Sequence, residues 1–371
     1  MVLRRPVAPT LFATALALAL AAGCSSSSSS NGSATMAAPI GPLETTNLTV
    51  AAVPTTDSTG LYVAQAAGLF AKYGLHVTIV PAISAEQSVN QLALNGIQVL
   101  SGNYVSMMEA QINHDRGVQP VNLKAGQTPS DQQISADLDI FAEASVEQPG
   151  FLGLFVKQGS KIRTTAELKG KTIAINAPNN VAYLLLASWE EANGLPPTPP
   201  NLTAIVPFPV MGPQLVAGKF DAAFLAEPFV SIMEDQAGLT ELTNMDQGAV
   251  TGFPIQGYAV TKQWARSHPN TLAAFYTALE QGQELASTNR GLAEQATVQN
   301  AVLLSLVPPG APVTAKDRQK AKQIATLLQF ETYPLGRVDV TRLQRVLNVM
   351  KQFKVFPVPS GFKVSELLGD S

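Results

Sequence analysis

Cysteine, histidine and charge are all scarce in this sequence. One cysteine, Cys24, leaves no partner for an internal disulfide. The three histidines, His76, His114 and His268, stand far apart and lack the spacing of a metal site. There is no nucleophile elbow, no Cys–His pair and no phosphate-binding glycine loop. Neither catalysis nor a cofactor nor a metal is therefore expected. Charged residues make up 14% of the chain, and the net charge is −3. With no basic patch to offset phosphate repulsion, nucleic acid is disfavoured as a partner. After the first 22 residues, no apolar run approaches the roughly 20 residues needed to span a bilayer.

Apolar residues are plentiful, at 46% of 371. That supports a large core and about two domains at ~150 residues each. The N-terminus has its own grammar. Arg4 and Arg5 precede an apolar stretch from Leu11 to Ala22, and small residues follow. This is the pattern of a secretory signal peptide over 1–23. Leu20-Ala21-Ala22-Gly23-Cys24 resembles a lipobox, whose cysteine carries the lipid, although Ala21 stands where a larger aliphatic is preferred. The expectation is a chain exported and lipid-anchored at Cys24. Losing Arg4 and Arg5 would take its charge from −3 to −5. Residues 24–46, with six serines from Ser25 to Ser30, read as a flexible linker between lipid and folded body.

From Leu48 onward, short β-like runs alternate with helical patterns. Strands are expected at 48–53, 77–80, 97–100 and 121–125, with helices at 62–72, 85–95 and 104–114 between them. The alternation restarts with strands at 151–156, 172–175, 203–206 and 221–225 and helices at 181–193 and 214–217. Thr164 and Glu167 mark a short capped helix. From Trp264 the chain reads as mainly helical. Residues 127–149 read either as a loop or as a hairpin through Leu138–Phe141. Strands alternating with helices imply α/β architecture with parallel, doubly wound sheets.

Three blocks in order carry a family resemblance: Gly60 to Leu75 (GLYVAQAAGLFAKYGL), Glu167 to Ala174 (ELKGKTIA) and Ala217 to Phe229 (AGKFDAAFLAEPF). They resemble the substrate-binding lipoproteins of ABC importers for nitrate, sulfonate, taurine and thiamine-type pyrimidine precursors. The resemblance covers about 48–260. It implies the two-lobed periplasmic binding protein fold of type II, with a hinge and a helical C-terminal portion. Residues 47–150 would form lobe 1, 151–251 lobe 2, and 252–371 would return to lobe 1. It also implies a monomer that captures a small molecule between the lobes and delivers it to an ABC permease and its ATPase. An extracytoplasmic sensing module would use the same cleft. The related pyrimidine-synthesising enzymes carry a cysteine-rich segment absent here.

Ligands of open α/β sheets bind beyond the carboxyl ends of strands. That singles out Thr55 and Asp57 after the first strand, then Ser101, Asn103 and Tyr104 after the third. Asn176, Asn179 and Asn180 lead into the helix at Val181, and Glu227 follows the last strand of the second unit. Helix N-termini at Tyr104 and Val181 would suit an oxyanion. Sulfonate binders of the family tend to carry hydroxyls at 176–180, where this chain has Asn, Ala and Pro. Glu227 suits a cation, amine or pyrimidine edge, or else caps the helix containing Phe229 or fixes the hinge. Asp57, Asn179 and Asn180 can equally shape turns, and Tyr104 can stack on a ligand or pack inside. Trp189 and Trp264 read as packing residues.

Overall fold

The computed structural model describes residues 41–369 apart from 123–128, 131, 197, 199–201, 237 and 308–309. Among the described residues, ten strands form two five-stranded sheets. The first contains β1 (Asn47–Ala52), β2 (His76–Pro81), β3 (Val99–Asn103), β4 (Leu138–Val146) and β10 (Pro254–Thr261). The second contains β5 (Leu152–Lys157), β6 (Ile173–Ile175), β7 (Thr203–Ile205), β8 (Ala222–Ala226) and β9 (Leu239–Asn244). Their orders match strand for strand, β2-β1-β3-β10-β4 and β7-β6-β8-β5-β9.

The architecture is α/β, but the sheets are not wholly parallel. β10 runs antiparallel to β3 and β4, and β5 runs antiparallel to β8 and β9. These are the strands by which the chain arrives from the other sheet. Neither is reached through a helical crossover in its own sheet, so the rule that makes βαβ units parallel does not act on them. The remaining central pairs, β1 with β2 and β3, and β6 with β7 and β8, are parallel. β3 and β8 are buried along their whole length, as strands covered on both faces must be.

Local signals place most elements. Asn103 caps the Tyr104–Asp115 helix by accepting the Ser106 N–H at 2.9 Å. Asn180 caps the Val181–Ala192 helix, accepting from Ala182 and Tyr183 N–H at 3.0 and 3.4 Å. Glu167 takes the Arg163 and Thr164 N–H groups ahead of the short Thr165–Leu168 turn. Beyond β10 the chain is mainly helical, through Pro269–Thr288, Ala315–Ala325 and Val340–Phe353.

Three expectations need correction. The helix at 62–72 is two helices, Thr59–Ala66 and Leu69–Lys72, because Gly68 adopts a left-handed conformation at φ 69°. The brief helix at 214–217 runs from Phe208 to Val216. Residues 138–146 form neither a loop nor a local hairpin; β4 pairs with β10, more than a hundred residues downstream. Of the strand expected at 121–125, residues 121 and 122 carry no strand and the rest lie outside the described residues. So do Cys24 and the signal segment.

The Thr59–Ala66 helix crosses Pro269–Thr288 at two glycines. A Cβ on Gly282 would stand 2.5 Å from the Gly60 carbonyl oxygen and 2.6 Å from the Ala64 Cβ. Backbone cannot yield as a flexible side chain does. Gly282→Ala should therefore destabilise the protein by about 1–3 kcal/mol, read as a lower urea midpoint with unchanged slope. A midpoint equal to wild type would show that the two helices can part without cost.

Candidate binding cavity

The loop after β1 is heavily bonded. Thr55, Thr56, Asp57 and Ser58 are all buried. Burying a carboxyl group is costly unless donors meet it. Asp57 is met on both oxygens: Thr55 Oγ1 donates at 2.8 Å and Ser145 Oγ, on β4, at 2.5 Å. Ser58 Oγ and Ser101 Oγ, on β3, lie 3.0 Å apart. The Thr56 hydroxyl donates to Glu331 at 2.9 Å, and Tyr333 OH donates to the Thr56 carbonyl at 3.0 Å. The Thr56 N–H reaches the Glu227 carbonyl beyond β8, at 3.2 Å. Residues from the first sheet, from the end of β8 and from the C-terminal segment thus meet on four consecutive residues.

Beside this loop lies a partly open space of about 40 Å³. Its first wall holds Val53, Thr55, Asp57, Ala85, Gly102, Asn103, Ile255 and Gln256. Its second wall holds Leu152, Asn176, Val181, Ala182, Phe208, Phe224 and Ala226. Each wall is built where β1, β3, β6 and β8 end, the position expected for a ligand of open α/β sheets. Two roomier hollows, about 370 and 510 Å³, lie elsewhere. One is at the opposite end of the first sheet, by Asp139 and Lys262, and the other is among helices by Lys316 and Gln323.

Four of the expected residues meet here: Thr55, Asp57, Asn103 and Asn176. The others do not line the space. Ser101 sits behind it, against Ser58. Tyr104 is buried, its hydroxyl without a partner among the described residues, and its ring packs so close to Gly257 that a Cβ there would be 2.5 Å from Cε1. Asn180 is spent on its helix cap and on Asn176. Asn179 holds a left-handed turn at φ 51° and is partly exposed. The Glu227 carboxylate accepts Ser231 N–H and Oγ at 3.2 and 2.8 Å, and Gln329 N–H at 3.2 Å. Gln256, on the reversed strand β10, was not marked by any sequence signal except its place as an amide in an apolar run. His76 and His114 are exposed, and His268 stacks on Trp264 at 4.6 Å. Trp189 is wholly buried.

The site's charges are one-sided. Among the described residues, no lysine, arginine or histidine lines the cavity. Burial raises the Asp57 carboxyl, against the pull of its hydroxyl donors. Glu331 is raised well above the usual range by burial and then by Asp57. Glu147, with neither oxygen hydrogen-bonded among the described residues, is raised well above it by burial, then by Asp246 and Asp57. Burial pushes Glu227 up to about 8 despite its donors. No group of three or more His, Cys, Asp or Glu among the described residues is placed to hold a metal ion. No helix among them is long and apolar enough to cross a membrane.

Two sheets of matching order, each with one reversed strand, and a cavity where their strands end, define the fold of periplasmic binding proteins. The periplasmic nitrate-binding protein NrtA of Synechocystis PCC 6803 shares it, with a TM-score of 0.64 over 86% of this chain and 84% of that one, at 16% identity. The chain belongs to the NMT1-like family, whose model matches residues 41–332. Over 277 residues it is 25% identical to the nitrate/nitrite binding protein NrtA of Synechococcus elongatus, covering 68% of this chain and 58% of that protein. Over 254 residues it is 26% identical to the nitrate import ATP-binding protein NrtC of Synechocystis, covering 67% of this chain and 36% of that protein. The chain spans between 34% and 58% of the length of the curated relatives it matches.

Glu227 sets a pH dependence. Its folded value of about 8 lies above the ordinary 4.5. Between those values the folded protein keeps a proton that the unfolded chain has released. Stability from this group is therefore full below about 4.5 and is lost as pH rises to about 8, by an amount on the order of 4–5 kcal/mol. Asp57, Glu147 and Glu331 act in the same direction. Urea unfolding of the wild type should show stability falling from pH 5 to pH 8, and Glu227→Gln should flatten that fall. An unchanged slope in the variant would assign it to the other carboxyls.

Proposed function

We propose that this chain is the extracytoplasmic solute-binding component of an ABC import system. Residues 47–150 with 252–371 would form one lobe and 151–251 the other. The observation that carries this reading is the cavity at the strand ends, whose walls come from both sheets. A molecule held there touches both walls at once, so it favours the closed arrangement over the open one by its differential affinity. The closed protein would then dock on a permease driven by an ATPase. Membership of the family and the import ATP-binding protein among its relatives support those partners. Catalysis has no part in this reading.

A thermal-shift and native-mass screen tests it, using nitrate, bicarbonate, taurine, alkanesulfonates, pyrimidines, flavins and small amides. A ligand at about 100 times its Kd should add about 2.7 kcal/mol of stability, and scattering should show the protein contract. Asn176→Leu, which removes a polar group from the second wall, should abolish both. A ligand that leaves the scattering unchanged and binds the variant equally would place binding elsewhere.

The reading extends to the lipid anchor. Cys24 would carry it, with 24–46 as the tether. Cys24→Ser should move the protein from the membrane fraction to the soluble fraction. Retention in the membrane fraction would remove the anchor from the proposal.

A further inference from the structure

The polar groups on the cavity walls have fixed orientations, and these orientations describe the ligand. Asn180 Oδ1 accepts two backbone N–H groups, so its Nδ2 must be the end that faces Asn176, donating to Asn176 Oδ1 at 3.1 Å. That occupies the acceptor of Asn176 and leaves its NH2 for the cavity. Asn103 Oδ1 is likewise held by the Ser106 N–H, leaving the Asn103 NH2. The Thr55 hydroxyl gives its proton to Asp57, so Thr55 Oγ1 can only accept from Gln256, through Nε2 at 3.4 Å. Gln256 is 6% exposed, and its Oε1 has no partner among the described residues. Two amide donors, one on each wall, therefore line a mainly apolar space whose first wall also holds one unpaired, buried amide acceptor.

From this we infer that the cavity takes a small neutral molecule bearing both a carbonyl oxygen and an N–H, of the amide and urea class, and rejects oxyanions. The inference rests on the proposal that this cavity is the ligand site. An oxyanion only accepts. It would find no cationic side chain on the walls, would face Gln256 Oε1 and the Asp57 carboxyl, and would find the Ser106, Ala182 and Tyr183 N–H groups already taken by asparagine caps. An ammonium only donates, and the two NH2 groups would be left unpaired against it. A carbonyl can accept from Asn103 and Asn176 while the N–H donates to Gln256. A site that hydrogen-bonds a particular group discriminates strongly against analogues lacking it. The volume of about 40 Å³ suits short members of the class, since one water-sized probe needs about 10–15 Å³.

Calorimetry on the purified chain with urea, acetamide and 2-pyrrolidone, against nitrate, methanesulfonate, taurine and methylammonium, tests this. At least one of the first three should bind, at least tenfold tighter than any of the others. Asn176→Asp, which turns a donor into an acceptor, and Gln256→Met, which removes the acceptor, should each weaken that binding tenfold or more while circular dichroism stays that of the wild type. Tighter binding of nitrate or methanesulfonate, weakened by the same variants, would overturn the ligand class and leave the cavity as the ligand site. Binding of any probe that neither variant alters would overturn both. Failure of all seven probes to bind would overturn the class alone.

Discussion

Asp57 is a carboxyl group buried where the fold can least tolerate an unmet acceptor, and the surrounding structure is organised around meeting it. Thr55 and Ser145 supply its donors, and Ser145 comes from a strand 88 residues away. The same loop is held by Ser101, Glu331, Tyr333 and the backbone beyond β8. A polar group costs little in the interior only when its partners are already in place. The loop therefore keeps its shape only in the assembled protein. One face of it then becomes a wall of the cavity, with Thr55 spanning the two roles by donating to Asp57 and accepting from Gln256.

The reversed strands are the second constraint. β5 and β10 carry the chain between sheets, and each lies beside the third parallel strand of its sheet, β8 or β3. Both begin at the cavity end, so Leu152, Ile255 and Gln256 join the walls. Connection and cavity are thus built by the same residues. The fold is shared with the nitrate-binding NrtA of Synechocystis at 16% identity; a fold depends on strand order and a ligand on the wall side chains.

Much of the framework was legible along the chain. The parallel strands, most helices and the asparagines before Tyr104 and Val181 follow from period, turn residues and caps, all of which act within a few residues. Thr55, Asp57, Asn103 and Asn176 were found by the strand-end rule and do line the cavity. Ser101, Tyr104 and Asn180 obey the same rule yet point into packing or caps. Side-chain direction at a strand end depends on what covers it, and neighbouring sequence does not record that. Gln256 carries no such local mark: its strand is reached by no crossover, and its side chain is set by Thr55, 201 positions away. β4 was unreadable for a related reason, since its partner is β10.

By itself the sequence determined the local elements and the alternation of strands and helices that builds two sheets. Tertiary structure alone decided which polar atoms remain available. Asn176 donates and Gln256 accepts only because Asn180 and Thr55 have claimed their other ends. Gln256 and Thr55 lie 201 positions apart. An amide carries a donor and an acceptor alike, and which one faces a ligand is settled by the neighbour that takes the other.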